Sequence, residues 1–181
     1  NYSLLRTVKK EDLEKPITLF PVKNALMYVE AQPLGHRGKG FRSESFFSSP
    51  NPALGAVFTY YLADNLKNLK QKRKELEKEK IKKGENVYYP SMDSLRMEDR
   101  EDEPSLIFTI TDEKNNVIRR LKEPAKKGMH RLVWDMRHTP LEPISFRVRD
   151  EDNLYDEPNF GPMVMPGTYY VSVAKVENGS V

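Results

Sequence analysis

The chain contains no cysteine. Disulfides, thiol catalysis and cysteine-ligated metals are therefore excluded together. It has no run of about 18 apolar residues either, which excludes a hydrophobic membrane-spanning helix. Charge of one sign is also scarce on balance: 30 Lys and Arg against 27 Asp and Glu leave +3 over 181 residues. What remains fits one domain or one and a fraction, burying roughly 70% of its extended-chain surface if folded as a unit. Charged residues make up 31% and hydrophobic ones 38%, a polar mix for a globular domain. Nine Tyr, eight Phe and a single Trp nevertheless supply the large side chains that a disordered chain would not have. The chain starts at Asn1 and stops at Val181, just after the hairpin signal Asn178-Gly179. We expect a piece of a longer protein, with any targeting segment lying outside it.

The near-neutral total hides segregation. Residues 67–83 carry nine basic side chains against Glu75, Glu77 and Glu79. Residues 93–103 carry Asp93, Glu98, Asp99, Glu101, Asp102 and Glu103 against Arg96 and Arg100, and Asp150, Glu151, Asp152, Asp156 and Glu157 form a third block. A nucleic-acid binder interleaves aromatics with its basic face. The basic run here has none, and the acidic segments would repel phosphate, so nucleic acid is not an expected partner. The charges read as solvated surface, with the basic helix free to meet an acidic partner.

Residues 1–24, with Pro16 and Pro21, look like a connecting segment from an upstream domain, and 25–181 like the domain itself. Ala25–Ala31 suggests a short strand leading into the Gly-rich loop 33–40. From Gly55, Ala56, Phe58, Tyr60 and Leu62 alternate with Val57, Thr59 and Tyr61, the period of a buried strand. Asn65 is placed to cap a helix over about 65–83 that Gly84 ends. Its apolar stripe of Leu66, Leu69 and Leu76 is narrow, so the helix reads as an insertion between two strands. An irregular acidic linker follows over 85–104. Leu106, Phe108 and Ile110 then open a hairpin that turns at 112–116, with positive φ expected at Asn116, and returns through Val117–Leu121. His130, Leu132, Trp134 and Met136 share one face of a further strand, and Tyr169, Val171 and Val173 one face of the last. Closely spaced strands linked by Pro and Gly turns, without a βαβ rhythm, predict an all-β antiparallel sandwich. Phe58, Tyr60, Phe108, Ile110, Leu132, Trp134, Tyr169 and Val171 are its expected core.

Tests for chemistry come out empty. In the Gly-rich loop Lys39 is followed by Gly40 rather than Ser or Thr, so a phosphate loop fails. His36, His130 and His138 have no ligand partner at helix or strand spacing, and no metal or cofactor is expected. The Asp150–Glu157 block lacks the alternation and Gly of a calcium loop. Asp135, beside Trp134, is best explained as an acceptor for backbone donors of the following turn. No Gly-x-Ser-x-Gly elbow exists, and no residue is assigned a catalytic role. Among the aromatics, Tyr88 and Tyr89 in the linker are least explained by core packing and are the candidate ligand platform.

Two groups of residues together resemble a known family. The first is Gly38-Lys39-Gly40-Phe41 followed by Asn51-Pro52-Ala53-Leu54-Gly55 and the strand after it. The second runs from Ile110-Thr111-Asp112 and Val117-Ile118-Arg119 through Gly128 to Trp134-Asp135-Met136-Arg137, then Gly161-Pro162 and Pro166-Gly167-Thr168-Tyr169. In this order they look like the region after the β-propeller in large bacterial proteins named as BNR-repeat glycosyl hydrolases or sortilin-like proteins. The second group is also similar to the Ig-like domain of flagellar hook-capping proteins. The pattern covers roughly residues 38–176 and departs from the family at Asn116, where Gly is usual, and at Ala53, where a second Pro is usual.

The resemblance implies an Ig-like or fibronectin III-like sandwich with one inserted charged helix. It implies a secreted or periplasmic parent whose propeller holds any catalytic residues. The expected function is that of a non-catalytic accessory domain packing against that propeller or a partner protein. A carbohydrate-binding module that takes polysaccharide is the alternative, and part of a glycosidase active site comes last.

Overall fold

A computed structural model describes residues 6, 8–28, 53–141 and 160–177. Among them are three helices, α1 (Lys10–Glu14), α2 (Leu69–Lys82) and α3 (Met92–Arg100). Six strands accompany them: β1 (Ile17–Leu19), β2 (Ala56–Leu62), β3 (Ser105–Thr111), β4 (Val117–Pro124), β5 (Gly128–Trp134) and β6 (Tyr170–Val176). They form two antiparallel sheets of three strands, in the orders β1-β2-β5 and β4-β3-β6. The chain is thus mostly β and sandwich-like, as the alternation predicts.

Each central strand supplies every second residue to the space between the sheets. From β2 come Phe58, Tyr60 and Leu62, and from β3 Leu106, Phe108 and Ile110, all buried. Phe108 stacks on Phe58 at a centroid distance of 6.4 Å and meets Tyr60 at 4.8 Å, so these rings join the sheets. Burial holds the Tyr60 hydroxyl above its ordinary pKa, with Glu123 pushing the same way. The β3–β4 turn is built on Asp112, whose carboxylate accepts from the backbone N–H of Lys114 and Asn116 and from the Asn116 amide. The positive φ falls on Asn115 (65°), one residue before the expected Asn116.

Antiparallel register fixes two ends of the sandwich. Leu62 pairs with Gly128 and Ser105 with Val176 at one end, Ala56 with Trp134 and Thr111 with Tyr170 at the other. Strands β4 and β5 are neighbours of their central strands on one side only. The bulge at Ile110/Thr111 leaves Arg119 opposite Ile110, on the core side of β4. Its guanidinium reaches across to Asp135, just past β5, at 2.9 and 3.1 Å. An inward-pointing charge of this kind also discourages edge-to-edge pairing.

Several expectations need correction. The segment 1–24 is more than a connection, because β1 within it pairs with β2 through Ile17↔Leu62. Residues 25–28 form no strand, and 29–31 lie outside the described residues. The helical insertion starts at Leu69, capped by Asn68 in a reciprocal pair with Gln71 (2.8 and 3.2 Å). Asn65 instead accepts from the Lys127 N–H. Gly84 does end α2: at φ 73° it closes a Schellman arrangement in which Glu85 N–H donates to Lys80 O and Gly84 N–H to Ile81 O. The acidic linker is not irregular throughout, since α3 forms inside it behind the Ser91 cap. Met136 follows the strand at φ 57° rather than extending it.

Candidate functional site

The expected core residues sit between the sheets or against that core. Phe58, Tyr60, Phe108, Ile110 and Trp134 are buried, while Leu132, Tyr169 and Val171 are half-buried and packed on them. Trp134 is 3% exposed; its ring meets Tyr169 edge-on at 5.3 Å, and its indole N–H donates to the Arg137 carbonyl at 3.0 Å. The Tyr169 hydroxyl donates to the Met165 carbonyl at 2.6 Å. Both polar handles are therefore consumed internally. Asp135 accepts from the Arg137 N–H at 3.2 Å and pairs with Arg119, so it serves its turn and the sheet edges.

The two described histidines, His130 and His138, do not converge. His130 lies against Tyr60 at 5.5 Å, and its Nε2 donates to the Lys126 carbonyl at 2.8 Å. His138 makes its bond through the backbone, to Pro162 O. His36, the Gly-rich loop and the acidic block 150–157 lie outside the described residues. Among the described residues, no three His, Asp or Glu side chains converge as metal ligands, and no helix is long and apolar enough to cross a membrane.

A cleft of about 550 Å³ opens at the Ala56–Trp134 end. Phe58, Ile110, Trp134, Met136 and Val164 form its floor; residues 22–27 and 165–170 form its walls. Among the described residues no carboxylate lines it, and Lys23 is the one charged side chain there. Its rim is apolar and open: Leu26 and Met165 are each 78% exposed, and Val22, Met27 and Tyr170 are exposed beside them. Soluble surfaces seldom gather this many large apolar groups at one place without an occupant. Sequence reasoning passed over Leu26, Met27 and Met165, because their two segments meet only after the chain folds.

Tyr88 and Tyr89 lie in the segment between α2 and α3, 81% and 83% exposed. They join neither the core nor the cleft. The helices beside them are held by Arg73, which pairs with Glu77 at 2.7 Å and grips Glu98 with two nitrogens, one of them at 2.9 Å. That pairing holds the Glu98 carboxyl below its usual range and raises the Arg73 guanidinium. Glu101 accepts from the first N–H of α2, at Leu69, at 2.6 Å.

No family model, curated protein or solved structure matches this chain.

Proposed function

We propose that the chain is a non-catalytic accessory sandwich of a larger secreted or periplasmic protein, of the kind named as BNR-repeat glycosyl hydrolases. In that setting it packs against a propeller or partner through the cleft end. The observation that carries this reading is the apolar rim of Val22, Leu26, Met27, Met165 and Tyr170 around a cleft that has no carboxylate among the described residues. Such a surface gains by burial against another apolar surface and offers nothing to polarise or protonate a glycosidic bond. The finer assignment to an Ig-like type draws support from Tyr169. It stands one residue before β6 and bonds back to a carbonyl four residues upstream, as the corner tyrosine of Ig-like sandwiches does.

Hydrogen exchange tests the reading: the isolated chain is compared with the longer polypeptide that carries the propeller. Residues 22–27 and 163–170 exchange more slowly in the longer polypeptide if the cleft end is the contact. Identical exchange in both, or glycosidic turnover by the isolated chain, refutes it.

Exposed Tyr88 and Tyr89 favour a second reading, a carbohydrate-binding module, since flat rings open to water can stack on sugar faces. Calorimetric titration with polysaccharides, repeated on Tyr88→Ala/Tyr89→Ala, decides it. Absence of binding at millimolar sugar eliminates the module.

A further inference from the structure

We propose that the outer face of α2 is a docking strip for an acidic polypeptide segment. Lys70, Lys74, Lys78 and Lys82 recur every four residues. On a helix such residues form one slowly winding row, about 6 Å of rise between neighbours and about 18 Å from end to end. Like charges four apart oppose helix formation. Here the helix is secured by its ends instead, through the Asn68–Gln71 box and the Gly84 closure.

Three of the other five cations of the segment have partners: Lys67 with Glu75 at 2.6 Å, Lys72 with Glu177 at 3.3 Å, and Arg73 with Glu77 and Glu98. The row has none among the described residues. Lys70 and Lys74 lie within the field of Glu98 without bonding to it, and Glu98 is already committed to Arg73. The row is thus an uncompensated line of positive charge on a rigid element, which attracts a complementary anionic surface.

The neighbours of the row select the occupant. Ile81 is exposed, three residues from Lys78 and seven from Lys74, hence on the same side. A polypeptide can offer carboxylates and an apolar side chain together. Bases and sugars stack on rings, and α2 contains no aromatic residue. The strip lies at the opposite end of the sandwich from the apolar cleft, so it stands or falls independently of the function proposed above.

Poly-L-glutamate is titrated into the full chain at 50 and 300 mM salt and followed by thermophoresis. Expected are binding at low salt, weaker binding at high salt, and an at least tenfold loss in Lys74→Gln/Lys78→Gln/Lys82→Gln. Lys114→Gln/Lys122→Gln/Lys126→Gln, which removes the same charge from the sandwich, stays within twofold of the parent. Lys74→Arg/Lys78→Arg/Lys82→Arg retains binding. Absence of low-salt binding overturns the proposal, and so do equal losses in the two glutamine variants, which would reflect net charge alone. Tighter binding to a polyuronate, to duplex DNA or to phosphatidylserine vesicles than to polyglutamate overturns it in favour of that ligand. Far-UV circular dichroism verifies that α2 persists in each variant.

Discussion

Replacing Trp134 by alanine tests the inter-sheet core where it meets the cleft. Truncating a buried tryptophan costs about 3–5 kcal/mol. Two structural details refine that range. The edge-on contact with Tyr169 adds about 0.5–1.5 kcal/mol beyond area, and losing the indole N–H strips the Arg137 carbonyl of its donor, worth about 1 kcal/mol. Against this, Trp134 lines the cleft, so water can enter the space left behind and the void term shrinks. The expected loss is about 4 kcal/mol, a fall of roughly 8–16 °C in Tm for a domain of this size. Trp134→Phe keeps a ring against Tyr169 and loses only the donor and some volume, about 2 kcal/mol. Equilibrium urea unfolding measures both. Trp134 is the one tryptophan in the chain, so the parent is followed by its fluorescence and the variants by far-UV circular dichroism. A soluble Trp134→Ala variant with an unchanged midpoint would refute the placement of this ring in the core.

Three further outcomes follow from the same contacts. A double-mutant cycle on Arg119→Ala and Asp135→Ala is expected to yield a coupling of about 0.5–1 kcal/mol, because the pair is half-buried and screened; zero coupling would mean that the bridge does not clamp the sheet edges. Gly55→Ala would set a Cβ 2.0 Å from the Trp134 carbonyl oxygen at φ 127°, with an expected loss above about 3 kcal/mol, whereas Gly84→Ala meets open space and costs about 1 kcal/mol; equal losses would contradict the close approach. The Asp112 carboxyl is held low, chiefly by the Asn116 amide and then by backbone N–H groups. Its stabilisation is complete above the unfolded value near 3.9 and is lost as pH falls through the lower native value. Urea midpoints between pH 2 and 6 are expected to decline less steeply on the acid side in Asp112→Asn than in the parent, and identical slopes would exclude the effect.

The strands that carry the core were legible because alternation and burial have the same period: β2, β3 and β6 each place apolar residues at every second position. Strand β1 was hidden by its length of three residues and by Pro16 and Pro21 around it; pairing to β2, not local pattern, makes it a strand. Helix α3 was masked by acidic composition, although Ser91 ahead of Leu95 was a readable cap. Between Asn65 and Asn68 the deciding signal was Gln71, three residues after the true cap and able to bond back to it. Nothing local marks the cleft end. Leu26 and Met165 come from opposite parts of the chain and gain meaning only as neighbours.

The positions of the helices and the cleft have a geometric consequence. Strand β2 enters at the apolar end and leaves at Leu62, where the helical excursion begins; Lys72 is tied to Glu177 at the same end. A seven-residue strand is roughly 20 Å long. The sandwich therefore holds its apolar cleft and the start of its cationic helix about one strand length apart, so an occupant of one would not crowd an occupant of the other.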